Sequence, residues 1–332
     1  MDKFYLKINI KKMNKKLASF AFLAFVFLAT KAQKIELYFP HFAGKTYDFI
    51  IFKGSQQETL IKGTIPEGGN FTLEIPEKYS PYVGMGRWLI TNSREGGGLD
   101  MYIPGKDFSV SCTEENPSED TIIYKENTGN KELNDLYRKQ NAIIQQYRVI
   151  SEALKIFPKN NKTYRVFKKE HKRITKEYNK FQEELRKENS YITQLLQIIN
   201  INSGISTKLI DSEEEKSLLV ADYILNDLNW DYLYTSGYWY NVISSWFKIH
   251  TEVIKDVDKF ESDFQKLTSK IDSPIEYKDF VTRIAYILKN EKNEEYIEAI
   301  SPIILESEKI EEFSGVLDIF LNGLMDTENS EN

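Results

Sequence analysis

Two periods of hydrophobic spacing divide the chain. From Lys34 to Lys125, apolar and polar residues alternate in short runs: KIELYFP, TYDFIIFKG, TLIKGTI, NFTLEIP, RWLITN, LDMYIPG, DFSVSCT and TIIYK. Alternation over runs of this length predicts half-buried strands. Gly68-Gly69 and Pro104-Gly105 fall between runs, where tight turns need a positive or pre-set φ. So many short strands at this spacing predict an antiparallel β-sandwich. A parallel sheet would need crossover helices, and no stretch here has a helical period.

Beyond KENTGNKELN the spacing becomes helical. Leu133, Leu136, Gln140, Ile143, Tyr147, Ile150, Leu154 and Phe157 step alternately by three and four, and Pro158 with KNN breaks the run. Tyr164, Phe167, His171, Ile174, Tyr178, Phe181 and Leu185 repeat the stepping. Matching seams and a short connection predict a long αα-hairpin. FKKEHKRITK and KFQEELRKE form its solvated face, where glutamates dilute any basic patch. Further helices follow. Ser212 is placed as an N-cap with Glu215 at the capping-box position, and Trp239, Val242, Trp246, Ile249 and Val253 form one stripe. Shorter amphipathic helices are expected over 256–271, 275–290 and 293–307. The fold class is therefore α+β, with a β-sandwich domain over 33–127, a helical domain over 128–325 and a polar tail over 326–332 that frays.

Residues 1–32 read as an export signal. Lys11, Lys12, Lys15 and Lys16 precede the apolar run Leu17–Ala29, and Thr30-Lys31-Ala32 offers small residues for cleavage before Gln33. The apolar run is too short for a comfortable membrane span. Met13 is an alternative start. No cysteine follows the run, which argues against a lipid anchor. The expected location is periplasmic or extracellular, soluble after cleavage and without stable membrane insertion.

Export changes the charge balance. The full chain carries 44 basic against 50 acidic side chains, or −6. Residues 1–32 contribute seven lysines against Asp2, or +6, which leaves −12 for the mature chain. A phosphate-tracking surface needs the opposite sign, so nucleic acid is excluded as an expected partner.

The chemistry-bearing residues exclude more than they suggest. Cys112 is the one cysteine, and thiol–disulfide exchange within a chain needs two. In DFSVSCT it shares a face with Phe108 and Val110, where a free thiol behaves as a small hydrophobe. His41, His171 and His250 are far apart and show no HExxH spacing, so no metal site is expected; His171 sits in the helical seam as a structural residue. There is no nucleophile elbow and no phosphate-binding loop. GMGRW and REGGGLD read as hairpin loops, SEEEK as a helix start, and DVDKFESD lacks the EF-hand glycine and terminal glutamate. Acid pairs for glycoside hydrolysis depend on spatial arrangement. No catalytic residue and no cofactor is assigned.

Aromatic residues are the remaining candidates. WDYLYTSGYWYNVISSW is dense in tryptophan and tyrosine. Such residues can form a sugar or peptide platform, but an apolar stripe at helical spacing is also what core packing demands. Trp88, Tyr82, Trp230, Tyr234 and Tyr238 are the candidate ligand or partner contacts.

The order of segments resembles a known family. A signal, a small β-domain containing GTIPEGGNFTLEIP and MYIPGKDFSVSC, the helical SGYWYNVISSWFKIHTE and then KIEEFSGVLDIFLNGL resemble the leading regions of exported TlpA-like thiol–disulfide oxidoreductases of Gram-negative bacteria. The resemblance covers roughly residues 33–325. In that family a C-terminal thioredoxin-fold domain with a CxxC motif carries the chemistry, and here no position matches it. The resemblance implies a non-catalytic interaction or scaffold module, possessing no redox sulfurs of its own, whose partner is a cell-envelope protein such as a redox protein. A truncated relative would look the same. The alternative expectation is a periplasmic carbohydrate- or peptide-binding protein that uses exposed aromatics.

Overall fold

The computed structural model describes residues 32–93, 96–312, 315 and 317–318. All but the last residue of the export signal read over 1–32, and the polar tail over 326–332, lie outside the described residues.

Eight strands form first: β1 (Gln33–Tyr38), β2 (Thr46–Lys53), β3 (Gln56–Thr64), β4 (Asn70–Ile75), β5 (Val83–Thr91), β6 (Gly98–Pro104), β7 (Phe108–Ser111) and β8 (Ile123–Lys125). They make two four-stranded sheets, ordered β4-β1-β7-β8 and β3-β2-β5-β6. The alternation read from sequence decides which side chains face inward. Ile35, Leu37, Leu73, Phe108 and Val110 from one sheet meet Phe49, Ile51, Trp88, Ile90, Met101 and Ile103 from the other in one core. Cys112 closes this core at 2% exposure. Its thiol lies 3.6 Å from the Thr121 hydroxyl, and its N–H donates to the Tyr38 carbonyl at 3.0 Å.

The sheets are antiparallel except for one pair. β1 and β7 run parallel, Ile35 opposite Phe108 and Leu37 opposite Val110. Among the described residues no α-helix makes this crossover. The intervening chain passes through the other sheet, which supplies the length that a parallel connection requires.

Nine α-helices follow among the described residues: α1 (Gly129–Ile156), α2 (Lys162–Glu188), α3 (Tyr191–Asn202), α4 (Glu213–Asn226), α5 (Trp230–Tyr234), α6 (Trp239–Lys248), α7 (Val257–Thr268), α8 (Pro274–Glu291) and α9 (Glu294–Glu306). A π-helical turn, Ile249–Ile254, extends α6. α1 and α2 form the expected hairpin, packed through Ile143, Tyr147, Ile174, Tyr178, Phe181 and Leu185. The polar seam residue Gln140 is buried because Asn200 on α3 pairs with it reciprocally, at 2.7 and 2.8 Å. Gln197 extends this amide chain to Gln182 on α2. Ser212 caps α4 by accepting the Glu215 N–H at 3.2 Å. The Trp239–Trp246 stripe packs with Phe260, Phe264 and Phe280 in a second large core, where full burial of each large side chain is worth roughly 1.5–3 kcal/mol.

The two parts are joined by a wedge. The β2–β5 ladder runs to the pair Ile51↔Gly86 and would next pair Phe52 with Met85. At that point it opens. The Phe52 N–H donates to the Tyr82 hydroxyl at 3.2 Å, and the Met85 N–H donates to the carbonyl of Thr235 at 2.9 Å. The Tyr82 proton lies between the carbonyls of Met85 (2.8 Å) and Phe52 (3.0 Å). One turn of chain away, the Gly54 N–H donates to the Tyr234 carbonyl at 2.7 Å. The C-terminal carbonyls of α5, which have no partners within the helix, therefore complete the hydrogen bonding of two strands. Tyr191 on α3 donates to the same Thr235 carbonyl at 3.1 Å. Two glycines permit this approach. A Cβ on Gly84 would lie 2.6 Å from the Thr235 Cβ, and one on Gly54, at φ +59°, would lie 2.1 Å from an Asp279 oxygen.

Tyr82→Phe should cost about 2–3 kcal/mol, because it strands a buried N–H and its carbonyl neighbours. Urea unfolding measures this; a loss below about 0.5 kcal/mol, the range of neutral surface changes, would contradict the wedge.

Candidate functional site

The wedge also shapes a cleft of about 480 Å3 between the outer face of the β3-β2-β5-β6 sheet and the helices. Phe52, Met85 and Arg87 supply its floor, Asn130, Leu133, Asn134, Leu195 and Ile199 its helical wall, and Ser236, Gly237 and Tyr238 its end. On β5, alternation turns Trp88 and Ile90 into the sandwich core, so Met85 and Arg87 must face the helices. Gly237, at φ +82°, lets the loop after α5 pass over the Phe52 ring, which a Cβ would meet at 3.2 Å.

The polar centre of the cleft is a cross-strand pair. Arg87 and Asp100 stand opposite each other on β5 and β6, and the guanidinium donates twice to the carboxylate, Nε to Oδ1 at 2.6 Å and Nη2 to Oδ2 at 2.8 Å. This bond holds the Arg87 pKa above its ordinary value. The guanidinium carbon also sits 5.7 Å from the centroid of the Phe52 ring. Burial raises the pKa of the Tyr238 hydroxyl, with Asp100 adding to the shift and Arg87 opposing it. The pair is half-exposed, so it contributes little to stability; it presents a fixed donor–acceptor set beside an apolar wall, the composition of a small-ligand pocket.

Of the five aromatic residues singled out from sequence, only Tyr238 lines this cleft. Trp88 is 2% exposed and packs against Phe39 at 4.8 Å between ring centroids, inside the sandwich. Trp230 is buried edge-on to Trp239 and Phe280. Tyr82 and Tyr234 are buried in the wedge. The periodic stripe expresses core packing, so these four form no exposed platform. Sequence reading missed Arg87, Asp100 and the apolar wall. The available signal was the hairpin GMGRWLITN…GLDMYIP, whose register would place opposite charges side by side.

A second depression of about 380 Å3 flanks the stacked rings of Tyr102 and Tyr191, whose centroids are 5.0 Å apart. Glu132 and Glu188 line it; burial first, and then Glu188, raises the Glu132 pKa. Among the described residues no group of three or more His, Cys, Asp and Glu could hold a metal ion. His250 lies fully buried between Trp246 and Phe260, its pKa pushed down to about 4 by burial, and its Nε2 is 3.5 Å from Asp263 Oδ2. It is a neutral packing residue. His171 packs half-buried against Tyr147.

Compared with known families, curated proteins and solved structures, the chain matches none. The resemblance to TlpA-like oxidoreductases rests on the quoted segments alone. Among the described residues no helix is long and apolar enough to cross a membrane.

Beside the wedge, Glu276 in the first turn of α8 has a buried, unpartnered Oε2. Burial, and then the Asp231 carboxylate, push its pKa up to about 7 from an ordinary 4.5. Between these values the folded chain holds a proton that the unfolded chain has released. Its favourable contribution is therefore present below pH 4.5 and is lost as pH rises through 7. Glu276→Gln should match the parent at pH 4.5 and exceed its stability at pH 8 by about 1 kcal/mol, after allowance for partial solvent screening. Urea unfolding at both pH values checks this; an equal difference at both would count against it.

Proposed function

We propose that this chain is a non-catalytic binding module of the cell envelope, exported by the signal at its N-terminus, that takes its partner in the cleft around Arg87, Asp100 and Tyr238. The observation that carries the reading is the composition of that cleft: a largely apolar enclosure of about 480 Å3 with one fixed donor–acceptor pair on its floor. Its size and mixture suit recognition. Among the described residues its lining contains no Ser–His or Cys–His pair of the kind that acyl or thiol chemistry uses. The single thiol is buried in the sandwich and is not among the residues that line the cleft. The TlpA-like resemblance supports a protein partner and suggests a redox protein as its class. Glycans are the competing ligand, but the buried positions of Trp88 and Trp230 weaken that alternative.

Filling the cleft tests this reading. The mature chain, residues 33–332, and its Asn134→Trp variant are probed side by side on glycan and peptide arrays, with equal melting temperatures as the control. The parent should retain ligands that Asn134→Trp binds at least tenfold more weakly. An empty array, or ligands indifferent to the substitution, would contradict the proposal.

A further inference from the structure

One wall of the cleft is the free edge of a sheet. Beside β6, the Ile90 N–H donates to the Gly97 carbonyl at 3.0 Å. With the register Trp88↔Leu99 and Gly86↔Met101, alternation turns the backbones of Leu99, Met101 and Ile103 toward β5. Those of Gly98, Asp100 and Tyr102 point away, and among the described residues β6 has no strand on that side.

At Tyr102 this outer edge is already occupied in the manner of a strand. Its N–H donates to Asn130 Oδ1 at 2.9 Å, and its carbonyl accepts from Asn127 Nδ2 at 2.7 Å. Two amide side chains stand where a neighbouring backbone would run. One strand position earlier, Asp100 is exposed and lines the cleft, and among the described residues nothing takes the outward N–H and carbonyl of Asp100 or Gly98. Native edges are commonly blunted by lysine, proline or a bulge. Pro104 blunts the far end of β6, but its open stretch Gly98–Asp100 contains no lysine or proline and pairs with β5 in unbroken register.

We propose that the cleft takes an extended, basic peptide segment of a partner protein, added as a strand along Gly98–Asp100. This deepens the binding-module reading and rests on it. An open backbone edge asks for another extended backbone, and strand addition draws affinity from main-chain hydrogen bonds and specificity from pockets for alternate side chains. Those pockets are present: Leu133, Leu195 and Ile199 form the apolar wall, while Glu119 lines the same cleft. The charge fits a basic segment. Asp100 is matched by Arg87, while Glu119 shares the single Arg138 guanidinium with Asp120 and Asp135, so acidic groups outnumber basic ones around the lining, and the chain from Gln33 onward carries −12.

The test begins with a phage-displayed library of random heptapeptides selected on the mature chain. Enriched peptides should alternate apolar residues with Lys or Arg. The strongest is synthesised and its binding measured by fluorescence polarisation, together with two forms N-methylated at alternate residues. One N-methylated form should lose binding at least tenfold and the other should keep it, because only alternate N–H groups face β6. Asp100→Asn keeps the edge N–H and reports the charge alone, expected at about threefold. Asp100→Pro removes the N–H and should weaken binding at least tenfold further. No enriched peptide, or equal binding of both N-methylated forms, would overturn strand addition. Glycan ligands lost on Asn134→Trp, with no peptide enriched, would leave the binding module standing and remove the peptide. If no ligand responds to Asn134→Trp, both fall.

Discussion

The structure depends on two backbone carbonyls at the end of a five-residue helix. Tyr234 and Thr235 close α5, and their oxygens accept the N–H groups of Gly54 and Met85 from the β-sandwich. A buried N–H without a partner costs about as much as a lost hydrogen bond. The opened ladder between β2 and β5 is therefore satisfied only while the helical array is seated against it. Tyr82 supplies the remaining partners from within the sheet, and Tyr191 fixes the Thr235 carbonyl from the helical side. The turn after β2 is held as well, with the Asp279 carboxylate accepting from the Ser55 N–H at 2.7 Å and from its hydroxyl at 2.5 Å.

The cleft is a consequence of that seating. The loop that delivers the carbonyls continues as Ser236, Gly237 and Tyr238, which end the cleft, while the strand residue that receives one of them, Met85, is part of its floor. The same contact therefore joins the two parts of the fold and sets the distance between the Arg87–Asp100 pair and the apolar wall of α1 and α3. A ligand that bridges the floor and wall would bind best to the seated arrangement and would stabilise it in proportion to its affinity.

Most of the architecture is legible in the residues because burial imposes a period. Alternation in KIELYFP and TYDFIIFK places β1 and β2, and the three-four stepping from Leu133 to Phe157 places α1. Other features leave no such trace. The parallel pairing of β1 with β7 depends on how the sheets stack, which alternation within each strand does not encode. The residues of α3, YITQLLQIININ, are buried nearly all round, so they lack the one-sided stripe that marks a surface helix. The wedge is made of main-chain groups, which every residue has, so only the nearby glycines hint at it. The aromatic residues misdirect for a related reason: a tryptophan that fills a core and one that stacks on a ligand need the same side chain, and burial alone separates Trp88 from Tyr238. Arg87 and Asp100 are ordinary charges until the hairpin register brings them together.

The central claim is that the α5 carbonyls hold the strands, so the sandwich and helical array open together. Native-state hydrogen exchange of the Phe52, Gly54 and Met85 amides addresses this directly, because protection at a site reports the free energy of the opening that exposes it. The account predicts that these three amides exchange only through global unfolding, with the same free energy as the amides of the sandwich core. Exchange through a local opening of much lower free energy, with the sandwich core still protected, would contradict it.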